Sequence, residues 1–177
     1  MCVIERTPVI ETRRLTLRAP AIDDAARMAL LMNAFDIARM TSRIPHPYGL
    51  DDATAYIQAR QASDPAAGAE FLIELEDQGV VGGIGFNRPP GHAAEVGYWV
   101  GKPWWGRGVA SEALTAALDW AARIWKRRMI TAGHFADNPA SGRVLCKAGF
   151  LYTGQIEPRP SLARGEPAAT RMMIWLP

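Results

Sequence analysis

In the stretch Trp104-Trp105-Gly106-Arg107-Gly108-Val109-Ala110-Ser111, two glycines bracket an arginine, and a small residue follows before a helical pattern begins. A helix start presents backbone N–H groups that no helical carbonyl takes, together with roughly half a positive charge. Glycine and alanine ahead of those groups would let a phosphate reach them directly, and Ser111 would add a hydroxyl. The plain alternative is an ordinary turn that opens a helix, and spacing alone leaves both readings standing. The run Glu95–Val100 ends just before the loop, which places it at the C-terminal end of a strand, where such sheets hold ligands.

Two other phosphate-binding arrangements are excluded. The chain has no G-x-x-x-x-G-K-[ST], so a P-loop kinase or ATPase does not fit. Gly82, Gly83 and Gly85 lack the third glycine of a dinucleotide fingerprint and run into Pro89-Pro90 rather than a helix. They are expected to mark a bulge or close backbone packing.

The elements that must position this loop follow from periodicity. Arg14–Pro20 alternates as a first strand, and Asp23 and Asp24 suit a helix start, with Ala26, Leu30, Ala34 and Ile37 at helical spacing. After the break at Pro45, Pro47 and Gly49, Asp51 is expected to cap a second helix that ends before Pro65. Phe71–Asp77, the run from Val80 to Arg88, and Glu95–Val100 read as an antiparallel meander. The helix after the loop sets Glu112, Thr115, Asp119, Arg123 and Lys126 on one face, with Ala113, Leu114, Ala117, Leu118, Ala121, Ile124 and Trp125 filling the rest. Lys126, Arg127 and Arg128 read as a solvated helix end. The run from Arg128 to Phe135 is a buried strand, Asn138 caps a short helix that Gly149 ends, and two final strands flank a polar loop near Pro158–Pro167. The order is strand, two helices, three strands, helix, strand, helix, two strands, with at least one parallel pairing.

With 177 residues, 49% hydrophobic and 21% charged, the chain reads as one globular domain over 1–177. Its 20 basic and 18 acidic residues give a net charge of +2, too balanced for a nucleic-acid partner. No apolar run approaches the ~20 residues of a membrane span. Cys2 and Cys146 make no disulfide framework, and the N-terminal residues do not resemble a signal peptide, so a cytoplasmic protein is expected. Cys146 is expected to be a buried, small apolar residue. Tyr98, Trp99, Trp104 and Trp105 lack the basic groove of a base-stacking surface and read as core and ligand packing.

Three segments carry a resemblance: ETRRLTLRAPAIDDA, EVGYWVGKPWWGRGVASEAL and NPASGRVLCKAGF. Together they resemble the GNAT-superfamily N-acetyltransferases, in the branch of the RimJ- and RimL-type ribosomal-protein N-terminal acetyltransferases. The resemblance implies an α+β fold, a mixed and largely antiparallel seven-stranded sheet flanked by about four helices and splayed between strands 4 and 5. Acetyl-CoA is then the co-substrate, with no metal, and an amine is the acceptor. By resemblance Trp105, Gly106, Arg107, Gly108, Val109, Ala110 and Ser111 surround the pyrophosphate, and Tyr98, Trp99 and Val100 run along the pantetheine arm. Asn138 and Ser141 approach the arm and thioester, and Arg143 and Lys147 are candidates for the adenosine phosphate. Trp105 stands where the superfamily usually has Gln or Arg, which removes one polar contact. Acceptor choice is implied for Asn33–Asp51 and Pro158–Pro167, and a homodimer is implied as well.

Transfer of an acetyl group from a thioester to an amine needs a base, an oxyanion donor and a proton for the thiolate. Glu95, at the start of the strand lining the cleft, is the first candidate base; a solvated strand-end glutamate is the alternative. His134 is the second, against a structural role on its strand. Ser141 is the candidate acid, against simple capping, with Tyr98 and Tyr152 as alternatives. A backbone N–H around Val100 is expected to face the oxyanion. A non-catalytic CoA-binding or protein-interaction module of the same fold is the competing reading.

Overall fold

The computed structural model describes residues 7–177. Cys2 lies outside them. Eight strands form one sheet: β1 (Ile10–Glu11), β2 (Leu15–Arg18), β3 (Gly68–Leu75), β4 (Gly79–Asn87), β5 (Ala94–Val100), β6 (Ile130–Phe135), β7 (Leu151–Arg159) and β8 (Ala168–Trp175). The helices are α1 (Ala25–Met32), α2 (Phe35–Ala38), α3 (Leu50–Gln61), α4 (Val109–Arg123) and α5 (Pro139–Lys147). The sheet order is β1-β2-β3-β4-β5-β6-β8-β7, antiparallel throughout except for the β5–β6 pair. The eighth strand relative to expectation is β1, a two-residue hairpin partner of β2 too short to show a period.

β5 and β6 pair only at Ala94↔Ile130 and Glu95↔Thr131, and then diverge. The rest of β5 therefore borders a wedge rather than a strand. Alternation along the β4–β5 ladder tells which groups face it. Gly101 N–H donates to Val81 C=O at 2.8 Å, so odd-numbered residues of β5 bond to β4. The main-chain groups of Val96, Tyr98 and Val100 point the other way, toward β6.

The larger core lies between the sheet and α4/α5. Leu15, Leu17, Phe71, Ile73, Phe86, Leu114, Leu118 and Ile130 are nearly or fully buried there. Trp120 stacks on Trp125 at 5.7 Å and meets Phe71 edge-on at 5.2 Å, contacts each worth about 1 kcal/mol beyond burial. The second core, on the opposite face, gathers Met28, Met32, Tyr48, Ile57 and Leu72 beneath α1 and α3.

Four expectations are corrected here. Ala26 and Leu30 mark the solvent side of α1, and the buried residues are Ala25, Met28 and Met32; Asn33 ends that helix, so Ile37 belongs to α2. Gly49 is the N-cap of α3, with its N–H donating to the Asp52 carboxylate at 2.8 Å, in place of Asp51. Ile124 is exposed because α4 stops at Arg123. Arg127 is not simply solvated: its guanidinium lies 4.0 Å from the Trp125 ring and donates to Ala66 C=O at 3.2 Å. On the polar face of α4, Arg123 pairs with Asp119 at 2.6 Å.

Candidate active site

The loop ahead of α4 is held open by backbone geometry and from behind by a side chain. Gly106 and Gly108 have φ of +73° and +79°, a region that costs other L-residues about 1–2 kcal/mol. Glu112 N–H makes the first helical bond, to Gly108 C=O at 3.0 Å. The N–H groups of Val109, Ala110 and Ser111 precede it and have no helical acceptor. A Cβ built on Gly106 meets nothing within 4 Å, so the approach from that side is clear. Both terminal nitrogens of Arg14 donate to Arg107 C=O at 3.2 Å, while its Nε donates to Glu112 at 2.8 Å. Thr12 also donates to Glu112, at 2.8 Å. Burial pushes the Glu112 carboxyl up, but the Thr12 and Arg14 hydrogen bonds outweigh it and hold the group below the usual range. Periodicity had placed Glu112 on a polar face; nothing in it pointed to Arg14 or Thr12.

Across the wedge, the Tyr98 hydroxyl stands 2.8 Å from Ser141 Oγ and donates to Ser141 C=O at 3.1 Å. Asn138 caps α5 through Oδ1, which accepts from Ser141 N–H at 3.2 Å. Its amide NH2 is the group it can offer a ligand. Trp105 turns its indole N–H back to Val100 C=O at 2.6 Å, and Trp104 is buried. Trp99 presents no main chain to the wedge, since its parity pairs it with Gly83. Its indole lies over Gly83 on the α1–α3 face, where a Cβ on that glycine would sit 2.6 Å from the indole nitrogen. Close packing thus accounts for Gly83, and the bulge beside Ile73/Glu74 falls opposite Gly82 and Val80.

The candidate bases are engaged. Arg159 Nη1 contacts both carboxylate oxygens of Glu95 at 2.8 Å. His134 is only 5% exposed; its Nδ1 lies 2.9 Å from Phe135 C=O and its Nε2 lies 3.0 Å from the Tyr152 hydroxyl. His134, Arg143, Lys147, Tyr152 and Arg171 border a groove of about 520 Å³. At 3.6 residues per turn, the groove-lining residues of α5 lie on the side away from Ser141. Cys146 borders that groove and is exposed, so it is not a core residue. Among the described residues no group of three or more His, Cys, Asp or Glu side chains is arranged for a metal.

The two segments implied for acceptor choice meet. Ser161 Oγ donates to Thr41 C=O at 3.1 Å, and Arg164 Nε donates to Arg39 C=O at 2.6 Å. Arg164 also pairs with Asp137 at 3.0 Å, which ties the β7–β8 loop to the start of α5.

Residues 14–151 match the family model of the acetyltransferase (GNAT) domain. The chain belongs to the GNAT acetyltransferase family. Within GNAT proteins, it is 36% identical over 86 residues to the ribosomal-protein-serine acetyltransferase of Escherichia coli (strain K12), a match spanning 48% of each chain. This chain thus spans about half the length of that relative. It is 29% identical over 157 residues to the uncharacterized N-acetyltransferase YoaA of Bacillus subtilis (strain 168), covering 83% of this chain and 85% of that one. The microcin C7 self-immunity acetyltransferase MccE, solved in complex with acetyl-CoA and AMP, has the same fold, with a TM-score of 0.82 at 17% identity over 94% of both chains. The GNAT wedge expected between strands 4 and 5 is the β5–β6 divergence, shifted by one in number because of β1.

Proposed function

We propose that this chain is an acetyl-CoA-dependent N-acetyltransferase that moves the acetyl group directly to a primary amine, with both substrates bound together. The observation that carries the reading is the wedge itself. The main-chain groups of Tyr98 and the N–H of Val100 border it, the Val100 carbonyl being taken by the Trp105 indole, and the bare N-terminus of α4 follows at the C-terminal end of β5.

In this reading the N–H groups from Gly106 to Ser111 take the diphosphate, and the N–H of Val100 pairs with the pantetheine arm. Asn138 and Ser141 flank the thioester. Acetyl-CoA supplies the activated acyl group. Because the phosphates lie beyond the end of β5, the acyl carbon lies deeper in the wedge, nearer its apex at Ala94 and Glu95. Tyr98 N–H, deeper than that of Val100, is therefore the oxyanion donor. Burial pushes the Tyr98 hydroxyl up to about 12 against the pull of its Ser141 hydrogen bond, so it keeps its proton at neutral pH. With Ser141 it forms the proton source for the leaving thiolate.

The acceptor reaches the thioester from the α1–α3 face, beneath the joined 39–42 and 161–164 segments. A protein N-terminal α-amine and a small-molecule amine both suit an open face, and a ribosomal protein is the acceptor in the E. coli relative's name. A cytoplasmic setting belongs to the same proposal. The test is free-thiol release from acetyl-CoA with a panel of serine- and alanine-starting peptides, amino acids and polyamines. Turnover with at least one amine is expected. Tight acetyl-CoA binding with no release on any amine would replace this reading with a binding module.

A further inference from the structure

On the α1–α3 face, one row of the sheet runs Glu70 (β3), Gly85 (β4), Gly97 (β5). Gly85 has no side chain, and a Cβ there would collide with the Glu70 carboxylate, so that carboxylate lies over β4. The next strand begins about 4.8 Å away. Gly97 is exposed, and a Cβ on it meets nothing within 4 Å. A clear path therefore runs from the Glu70 carboxylate, across Gly97, to the edge of the wedge beside Tyr98.

Above this path the structure leaves polar groups without partners. Tyr48 is 5% exposed, and its hydroxyl has no hydrogen-bond partner among the described residues. Arg60 Nε is likewise buried and unpartnered. A buried orphan hydroxyl is destabilising unless something enters to bond it. The groups facing Glu70 are Tyr56 and Arg60 of α3 and Tyr48 and Arg43 of the α2–α3 connection. Burial pushes the Glu70 carboxyl up to about 7, against the pull of Tyr56, Arg60 and Arg43.

We propose that Glu70 is the general base of the transfer, and that the Tyr48 hydroxyl helps seat the acceptor beside it. The inference rests on the acetyltransferase reading above. The carboxylate takes one proton from the acceptor ammonium. The freed nitrogen forms its bond to the acetyl carbon, and the carbon–sulfur bond breaks with its electron pair going to sulfur. The nitrogen's second proton ends on the thiolate by way of Ser141 and Tyr98, and Glu70 returns its own proton to water. Glu95 cannot play this part while Arg159 engages both of its oxygens.

The experiment measures kcat/KM for the amine against pH in wild type, Glu70→Gln, Glu70→Asp and Glu95→Gln, with calorimetric acetyl-CoA affinity and a thermal melt for each. Wild type rises through a limb near pH 7. Glu70→Gln loses that limb and falls about 10²–10⁴-fold in kcat, while acetyl-CoA affinity holds. Glu70→Asp draws the carboxylate back by one methylene; it slows turnover yet keeps a limb, which serves if the Gln variant melts early. Glu95→Gln changes the rate but keeps the limb. Wild-type kcat and an unchanged limb in Glu70→Gln, or a limb lost in Glu95→Gln instead, would overturn the assignment. Absence of turnover in wild type with every amine would count against the acetyltransferase reading, a different result from either.

Discussion

Arg14 reaches from the start of β2 to hold the carbonyl of Arg107, with both terminal guanidinium nitrogens at 3.2 Å. Turning that carbonyl toward Arg14 turns the neighbouring amides away from it, into the space before α4. The same guanidinium is bonded to Glu112 in the first turn of the helix. One side chain thus couples the first strand to the shape of the loop and to the helix start behind it.

Arg14→Ala should weaken acetyl-CoA binding about tenfold and destabilise the fold by about 2 kcal/mol, the scale of a lost charged hydrogen bond. Calorimetry and a urea melt measure the two separately. The pH dependence has a definite sign. Glu112 ionises more easily folded than unfolded, so its contribution is present above its ordinary value of 4.5 and is lost as pH falls through the lower folded value. Arg14→Ala should flatten that acid-side loss.

Gly108→Ala keeps a small side chain but must adopt φ near +79°, at a cost of about 1–2 kcal/mol. A thermal melt should register a drop of several degrees. Gly108→Glu adds a carboxylate at the proposed diphosphate seat and should abolish acetyl-CoA binding in a chain that still melts cooperatively.

Tyr98→Phe and Ser141→Ala each remove one side of a 2.8 Å hydrogen bond across the wedge. Each should lower kcat about 10- to 100-fold with a smaller change in the amine KM. A double variant no slower than the worse single one would mark the two as one unit.

Gly97→Val tests the acceptor path without touching the cofactor loop. The strand accepts valine and its Cβ has open space, so the fold should hold. The amine KM should rise at least tenfold while acetyl-CoA affinity stays within twofold, as read by steady-state kinetics and calorimetry.

Much of this architecture is legible in the sequence. The alternation of β3, β4 and β5, the long amphipathic pattern of α4 and the Asn138 cap are local signals, and each element formed where its pattern lay. The loop from Gly106 to Ser111 was readable for the same reason, because positive φ leaves a glycine signature. What escaped was set by distance along the chain. Arg14 lies 93 residues from Arg107, and Arg159 lies 64 from Glu95, so no window of sequence joins them. Glu70 escapes because its surroundings come from β4 and α3, and because it precedes the alternating run Phe71–Asp77, whereas β3 itself starts at Gly68. Spacing does not tell the two sides of α1 apart, because Ala26 and Leu30 satisfy it as well as the buried Ala25, Met28 and Met32 do. Pro158, expected in the polar loop, lies within β7; an edge strand tolerates it because one side of its ladder is unpaired.

The most direct test is a crystal structure of the chain grown with coenzyme A. The diphosphate is expected within hydrogen-bond distance of main-chain N–H groups between Gly106 and Ser111, and the pantetheine arm between β5 and β6 beside Tyr98. Coenzyme A seated elsewhere, for instance in the groove of Arg143, Lys147 and Arg171, with the wedge closed by the Tyr98–Ser141 contact, would contradict this placement.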